Sequence, residues 1–403
     1  MVSMHTSPAE LPGRGDAGGM NVSILAVAAA LAARGVEVDL LTRASAEPLE
    51  RELASGVTLR TLAAGAPMPI PKARLVDVAD EFGEAVATLV GRRAPRYDLL
   101  HAHYWLSGLA TLPVAIELGL PFVQSFHTLA AMKNKSLGDG DVPEPEGRLR
   151  GEGFLVTQAD AIVAGSSSEV SVLIDDLRAP ADRLWVIPPG VDTDLFTPLR
   201  ARNEQAVREY LGLEPDRPLL VVAGRIQPLK DQELAIRVLA AVHEQRGWAP
   251  LLVIAGEATD DGYLERLQAT ARELGVEGDV RFVGALDRET LADLFAAAAL
   301  TLVTSRSETF GLVALESAAS GTPVIGYRTT GLVDSVADGE SGILVDGRDP
   351  RDWAAVVSGL LESEVRLARL GVTARGHAEG FTWATAAASL LAVYENLVRR
   401  SAD

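Results

Sequence analysis

The sequence predicts an α/β chain of two doubly wound, Rossmann-like domains facing a central cleft, and three observations predict it. At 403 residues the chain exceeds the ~100–200 residues of one ordinary domain. Short β-rich apolar runs alternate with longer helical patterns along its whole length, the rhythm of parallel sheets built from βαβ units. The rhythm runs twice, on either side of "PPGVDTDLFTPLRARNEQ", where Pro188, Pro189, Gly190 and Pro198 interrupt regular structure.

In the first half, "VEVDLLTR", "VTLRTLAA", "YDLLHAHY", "PFVQSFHT", "AIVAGSS" and "LWVIPPG" have strand character. Helical patterns at Asn21–Arg34, Leu75–Gly91, Ser107–Leu118 and from Gly151 onward separate several of them. The second half repeats this with "PLLVVAGRI", "PLLVIAGEA", "VRFVGAL", "LTLVTSRSE", "TPVIGYR" and "GILVDG". Its helices are expected around Lys230–Gln245, Tyr263–Leu274, Asp287–Ala298 and Gly311–Ala319. The domains are placed at residues 1–192 and 193–380. The tail, residues 381–403, reads as an amphipathic helix expected to pack back on the first domain. An opening strand "MVSM" is shorter than the ~5–6 residues typical of strands, so either the sheet tolerates a stub or the true start lies upstream.

Composition narrows the function. A formal net charge of −18 argues against nucleic acid, whose phosphates select basic surfaces, and against docking on anionic lipid. With no cysteine there is no disulfide, thiolate nucleophile or cysteine zinc site. No basic segment precedes an apolar core at the start, and no uncharged apolar run reaches the ~18–20 residues of a membrane span. A soluble, cytoplasmic protein without stable membrane association is expected.

Two sheets facing one another put the carboxyl ends of their strands around a common cleft, where ligands of such sheets bind. In "SETFGLVALES", Glu308 and Glu316 bracket an almost wholly apolar stretch. A helix from near Thr309 would separate the two carboxylates by about 12 Å at ~1.5 Å rise per residue. That is about the reach of a sugar nucleotide, with the diphosphate at the helix N-terminus. The plainer reading is an acidic residue at a helix start and a solvated glutamate two turns later. Arg225 and Lys230, in "VVAGRIQPLKD" after a strand, add cations suited to a departing diphosphate.

Together "GRIQPLK" and "SETFGLVALESAASGTPVIG" resemble the retaining glycosyltransferases of family 4, which have the two-Rossmann GT-B fold. "HTSPAELPGRGDAGGMNV", "HAHYWLSG" and "HTLAAMKNKSLGDGDVPEPE" are similar to the mycothiol-pathway branch of that family. That branch joins N-acetylglucosamine from UDP-GlcNAc to 1D-myo-inositol 3-phosphate, the first step of mycothiol biosynthesis. The resemblance spans nearly the whole chain. It implies that Arg225 and Lys230 hold the diphosphate, Glu308 the sugar and Glu316 the ribose, with Pro12 and Gly19 near the donor. Leu286 falls where the family meets the uracil through its backbone. Asp16, Ala17, Gly18, Gly19, Met20 and Asn21, with His5 beside them, fall to the inositol ring. Lys72, Tyr104, Thr128 and Arg148 match the acceptor-phosphate positions.

Read singly, those last four are a solvated lysine, a core tyrosine, a turn threonine and a surface arginine. His127, just past a strand end, matches a histidine near the transferred hexose, whereas His101 and His103 read as structural. The implied catalytic set is therefore His127, Arg225, Lys230 and Glu308. No carboxylate pair stands as nucleophile and acid, so departure of the diphosphate and same-face attack of the acceptor follow, with the leaving phosphate taking the proton. No D-x-D cluster is placed to clamp a diphosphate, so no metal or other cofactor is expected to be essential, and Mg2+ would at most be structural. Partners are expected to be small-molecule substrates, with a homodimer as the candidate assembly.

The chain departs from the family pattern on the donor side. "IAGEATDDG" stands for a glycine-rich loop, and "TTGLVDSV" for a double-glycine turn. Rival readings are a family 4 enzyme using another nucleotide sugar and another sugar-phosphate or aminocyclitol acceptor (a sucrose-phosphate synthase-like enzyme or an antibiotic-pathway aminosugar transferase), a lipid-acceptor mannosyltransferase, and a sugar-nucleotide-binding protein that has lost transfer.

Overall fold

The computed structural model describes residues 1–13, 15–92, 97–137, 142–210, 212, 217–258 and 261–402. Arg14, Gly138–Asp141 and the Thr259–Asp260 part of "IAGEATDDG" thus lie outside the described residues.

The first sheet uses seven strands: β1 (Val38–Arg43), β2 (Glu50–Ala54), β3 (Val57–Leu62), β4 (Leu100–His103), β5 (Phe122–Ser125), β6 (Ala161–Ala164) and β7 (Leu184–Val186). Its helices are α1 (Gly19–Ala32), α2 (Ala79–Arg92), α3 (Trp105–Leu118), α4 (Ala130–Asn134), α5 (Glu146–Gln158) and α6 (Ser167–Asp175). The strands fall into two runs, β2-β3-β1 and β4-β5-β6-β7. One residue joins them. Val2 bridges in parallel to Leu41 on one side and Ala102 on the other. The Val2 N–H donates to the His101 carbonyl at 2.8 Å and the His103 N–H to the Val2 carbonyl at 2.9 Å. The expected opening strand is therefore a stub, and it sits in the middle of the sheet where the strand order reverses. β2 is a strand that the sequence did not announce. "ERELA" has no apolar alternation because it is an exposed antiparallel edge, paired only to β3.

In the second domain α7 (Glu204–Tyr210) precedes β8 (Leu219–Ala223), α8 (Gln232–Arg246), β9 (Leu251–Ala255), α9 (Asp261–Glu273), β10 (Val280–Gly284) and α10 (Arg288–Ala297). Then come β11 (Leu300–Val303), α11 (Leu312–Ala319), β12 (Val324–Tyr327), α12 (Leu332–Ser335), β13 (Gly342–Val345), α13 (Pro350–Leu361) and α14 (Glu364–Ala378). All six strands are parallel in the order β10-β9-β8-β11-β12-β13, reversing between β8 and β11. Leu220, Val222, Leu252 and Ile254 enter one core, while Leu219, Val221, Leu251 and Val253 enter the core on the other face. Burial on both faces is why these strands read as unbroken apolar runs.

The last helix, α15 (Trp383–Ala402), returns to the first domain. Ala387, Leu390, Tyr394 and Leu397 recur at helical spacing and share a core with Ile24, Leu40 and Val163. The chain thus passes between the domains twice, and the passages touch. Val191 donates to the Phe381 carbonyl at 2.9 Å, and Gly190 lies so near that a Cβ there would stand 2.3 Å from the Trp383 nitrogen.

Replacing Val2 by proline removes the N–H that pairs with His101 in a central ladder. We expect this to lower stability by roughly 1–3 kcal/mol, read as an earlier urea midpoint with unchanged m-value.

Candidate active site

Each sheet reverses its strand order once, and both reversals open on the same cleft. From the first domain come the loop that follows Val2, residues 5–13 and 15–18, and the segment after β4; from the second come the loops after β8 and β11. Between them lies a cavity of about 310 Å³. Of the residues singled out from sequence, His5, Asp16, Gly18, Gly19, Met20, Lys72, Tyr104, His127 and Thr128 line its first-domain wall. Arg225, Lys230 and Glu308 line the opposite wall.

The second-domain wall is organised around Glu308. Its Oε1 accepts from Lys230 Nζ at 2.5 Å and from Ser305 Oγ at 2.6 Å. Its backbone N–H donates to Thr330 Oγ1 at 2.8 Å. Thr330 takes φ +33°, a conformation that strains a β-branched residue, and it stands in the turn where the resembling family carries two glycines. Lys230 is set by what surrounds it. Thr304 Oγ1 donates to its carbonyl at 2.9 Å. The next residue, Asp231, is left-handed (φ +46°), caps α8, and is gripped by Arg306 at 3.2 Å and by Arg348. Arg348 Nη2 also donates to the Thr304 carbonyl at 2.7 Å, tying the loops after β8 and β11 together.

One expectation needs correction here. The helix begins at Leu312, three residues beyond Thr309, because Gly311 turns with φ +94°. Glu308 therefore lies in the loop, and the 12 Å helical spacing does not apply to it. The α11 N-terminus has no side-chain cap and adjoins the cavity through Gly311, Leu312 and Val313. Glu316 does not line the cavity. It is buried against Arg288 Nη1 at 3.0 Å, and burial raises its pKa while Arg288 opposes the rise.

On the first-domain wall the cations are already engaged. Lys72 Nζ donates to Asp16 Oδ1 at 3.2 Å, and Arg225 reaches the same oxygen from across the cleft at 3.9 Å. Lys72 and Arg148 both lie 5.0 Å from the Tyr104 ring centre. Arg148, however, is buried behind the wall and does not face the cavity. Its guanidinium donates to Glu152 at 2.7 Å, Glu144 at 2.9 Å, and the Thr128 carbonyl and hydroxyl at 2.8 and 3.0 Å. It therefore holds Thr128 in place. Asn21 is likewise internal: it accepts from the Gly18 N–H at 3.0 Å and donates to Thr6 Oγ1 and the Ser7 carbonyl. Ala17 is fully buried, Leu286 packs on the core cluster that includes Phe310, and Pro12 lies outside the cavity wall.

Two features escaped the sequence. His103 Nδ1 lies 2.8 Å from His127 Nε2, so a histidine read as structural touches the one expected to face the sugar. The "HAH" alternation on one strand was the available signal. The other is Glu169, buried in the cavity wall beyond β6. Its Oε2 accepts from the Gly165 N–H at 2.8 Å while Oε1 has no partner among the described residues. Burial pushes its pKa up to about 7. Across the cleft, Thr309 Oγ1 donates to the His127 carbonyl at 2.5 Å, and Ser167 pairs with Asp334 at 2.9 Å.

Comparison with known proteins covers both domains. Residues 17–195 match the family model "Glycosyltransferase Family 4", and residues 203–377 match "Glycosyl transferases group 1". The chain is 41% identical over 412 residues to a protein of Acidothermus cellulolyticus named D-inositol 3-phosphate glycosyltransferase, covering 100% of this chain and 91% of that one. It is 42% identical over 407 residues to the protein of the same name in Thermobifida fusca, covering 99% and 93%. Among solved structures, sucrose-phosphate synthase from Thermosynechococcus elongatus superposes with TM-score 0.87 at 28% identity, covering 99% of this chain and 98% of that one. The fold is thus the GT-B arrangement of two Rossmann-like domains around a cleft.

Two outcomes follow from the wall chemistry. Thr330→Gly should leave stability within about 1 kcal/mol, strain relief offsetting the lost hydrogen bond, yet lower turnover several-fold, with Thr330→Ser restoring it. Glu169 binds its proton more tightly when folded (about 7) than unfolded (4.5), so its contribution is full at low pH and fades as pH rises through 7. Glu169→Gln should therefore gain on the wild type by on the order of 2–3 kcal/mol between pH 5 and pH 8 in urea titrations.

Proposed function

The chain belongs to glycosyltransferase family 4, and on that premise we propose that it transfers N-acetylglucosamine, with retention, from UDP-GlcNAc to 1D-myo-inositol 3-phosphate, releasing UDP. The observation that carries this reading is the facing of two separate cationic sites across one cavity. Lys72, Tyr104 and Thr128 stand on the first-domain wall, opposite Arg225, Lys230 and the uncapped start of α11. The names of the full-length relatives support the acceptor. The donor hexose rests on the resemblance of the sequence motifs, and the first step of mycothiol biosynthesis is the place such a reaction takes.

In this reading the UDP diphosphate lies against Arg225, Lys230 and the α11 N-terminus, whose free N–H groups meet anionic oxygens. Lys230 then exchanges Glu308 for phosphate, which frees the Glu308 carboxylate to accept from hexose hydroxyls. Glu316 leaves Arg288 in part to accept from the ribose diol. The acceptor phosphate takes Lys72 from Asp16 and meets the Thr128 and Tyr104 hydroxyls, while Arg148 braces Thr128 from behind. As the C1–O bond breaks, negative charge grows on the departing phosphate and is met by cations already in place. The acceptor hydroxyl attacks the oxocarbenium-like carbon from the same face, and its proton passes to the departing phosphate. No metal ion is invoked, and no helix among the described residues is long and apolar enough to cross a membrane. The setting proposed is cytoplasmic.

Mass spectrometry of reactions offered UDP-GlcNAc, UDP-glucose or GDP-mannose, with and without inositol phosphate, tests this directly. We expect GlcNAc-inositol phosphate and UDP only when the first donor and the acceptor are both present. Turnover with another donor alone, or nucleotide binding without turnover, would reject the reading. Lys230→Ala should lower kcat by roughly 10²–10³-fold with little change in acceptor KM, whereas Arg148→Ala should chiefly raise acceptor KM.

A further inference from the structure

We propose that His103 fixes the tautomer of His127, so that His127 presents an Nδ1–H donor to the cleft, and that Tyr394 of the C-terminal helix holds the ladder of rings that makes this so. The inference deepens the function proposed above, because it assigns a chemical role to the histidine in the cavity wall.

The geometry begins with strand alternation. His101 and His103 point to the same face of β4, and their rings stack with centres 4.1 Å apart. Both nitrogens of His101 are engaged: Nδ1 lies 2.6 Å from Tyr394 Oη and Nε2 lies 2.9 Å from Ser125 Oγ. That ring cannot turn without breaking two buried hydrogen bonds. His103 rests on it and is bonded through Nδ1 to His127 Nε2 at 2.8 Å, while its own Nε2 is buried with no partner among the described residues. The His103 and His127 rings lie 5.1 Å apart and 30° from parallel.

Two neutral imidazoles can share this contact in two ways. If His127 donated from Nε2, His103 would carry its proton on Nε2, a buried N–H with no acceptor. If His103 donates from Nδ1, the unmatched atom is a lone pair, which burial penalises less than an orphaned N–H. The second arrangement is therefore the one held. It leaves the His127 proton on Nδ1, and His127 has no other side-chain hydrogen bond among the described residues. Burial keeps all three rings neutral at physiological pH, lowering His127 to about 4. His127 thus offers a fixed, uncharged N–H to an acceptor oxygen of the ligand, a sugar hydroxyl or a phosphate. It is not the proton acceptor of the reaction. Its backbone, at φ +59°, is clamped separately by Thr309 from the other domain.

His103 and Tyr394 are positioning residues in this account. The test uses the full-length enzyme labelled with 15N-histidine, with long-range proton–nitrogen correlations assigned through loss of signals in His127→Gln. The ligand-free wild type should show the Nδ1–H pattern for both His103 and His127. An Nε2–H pattern for His127 overturns the proposal whatever the enzyme's substrates prove to be. In His103→Phe, which keeps the stack but not the donor, His127 should shift toward Nε2–H and kcat should fall about tenfold with both KM values within twofold. Tyr394→Phe should blur the tautomer and lower kcat less. A switched tautomer with unchanged kcat would refute the use of the Nδ1–H in catalysis. Kinetics are measured with whichever donor the mass-spectrometric screen selects, so a wrong hexose leaves both arms readable.

Discussion

A parallel sheet covered by helices on both faces has one open place, the crevice beyond its carboxyl edge where neighbouring loops run to opposite sides. This constraint governs the molecule. In the second domain the crevice lies between β8 and β11, so Lys230 and Glu308, 78 residues apart, become partners. In the first it lies between Val2 and β4, which brings the loop after the stub beside Tyr104. With both crevices turned inward, loops and helix starts of the two domains line one cavity, held by the framework of strands and helices behind them.

Charge in the cleft is handled by exchange. Against a net charge of −18, the cations lining the cleft face carboxylates: Asp16 beside Lys72 and, at 3.9 Å, Arg225, and Glu308 beside Lys230. Glu316, withdrawn from water, is paired in the same way with Arg288. Such pairs keep the ligand-free cleft from presenting bare cations. Under the proposed function, anion binding would be a swap of partners, so affinity would reflect a difference between two good contacts. Arg348 and Arg306 on Asp231 belong to another layer, aiming the backbone of the lysine loop.

Much of this was legible in the residues. All six strands of the second sheet were readable because burial on both faces writes itself as continuous apolar runs. The tail helix was visible from its amphipathic spacing. What escaped were features whose signal lies in pairing. β2 is charged because only its edge bonds are used. The start of α11 moved because Gly311 could turn where a side chain would have continued the helix. Arg288 with Glu316, Arg348 with Asp231 and His103 with His127 are separated by 28, 117 and 24 residues. No local pattern joins such partners. For Arg148 the residue was found but not its orientation, since facing Glu144 and Glu152 rather than the cavity is a property of packing.

The double passage of the chain between domains has a mechanical meaning. One covalent tether would let the lobes twist, slide and splay. Here two run side by side, stitched by the Val191–Phe381 backbone bond and pressed together at Gly190. Two adjacent crossings leave the lobes fewer ways to move against each other than one would. The His127–Thr309 contact adds a fastening between the lobes at the cleft wall.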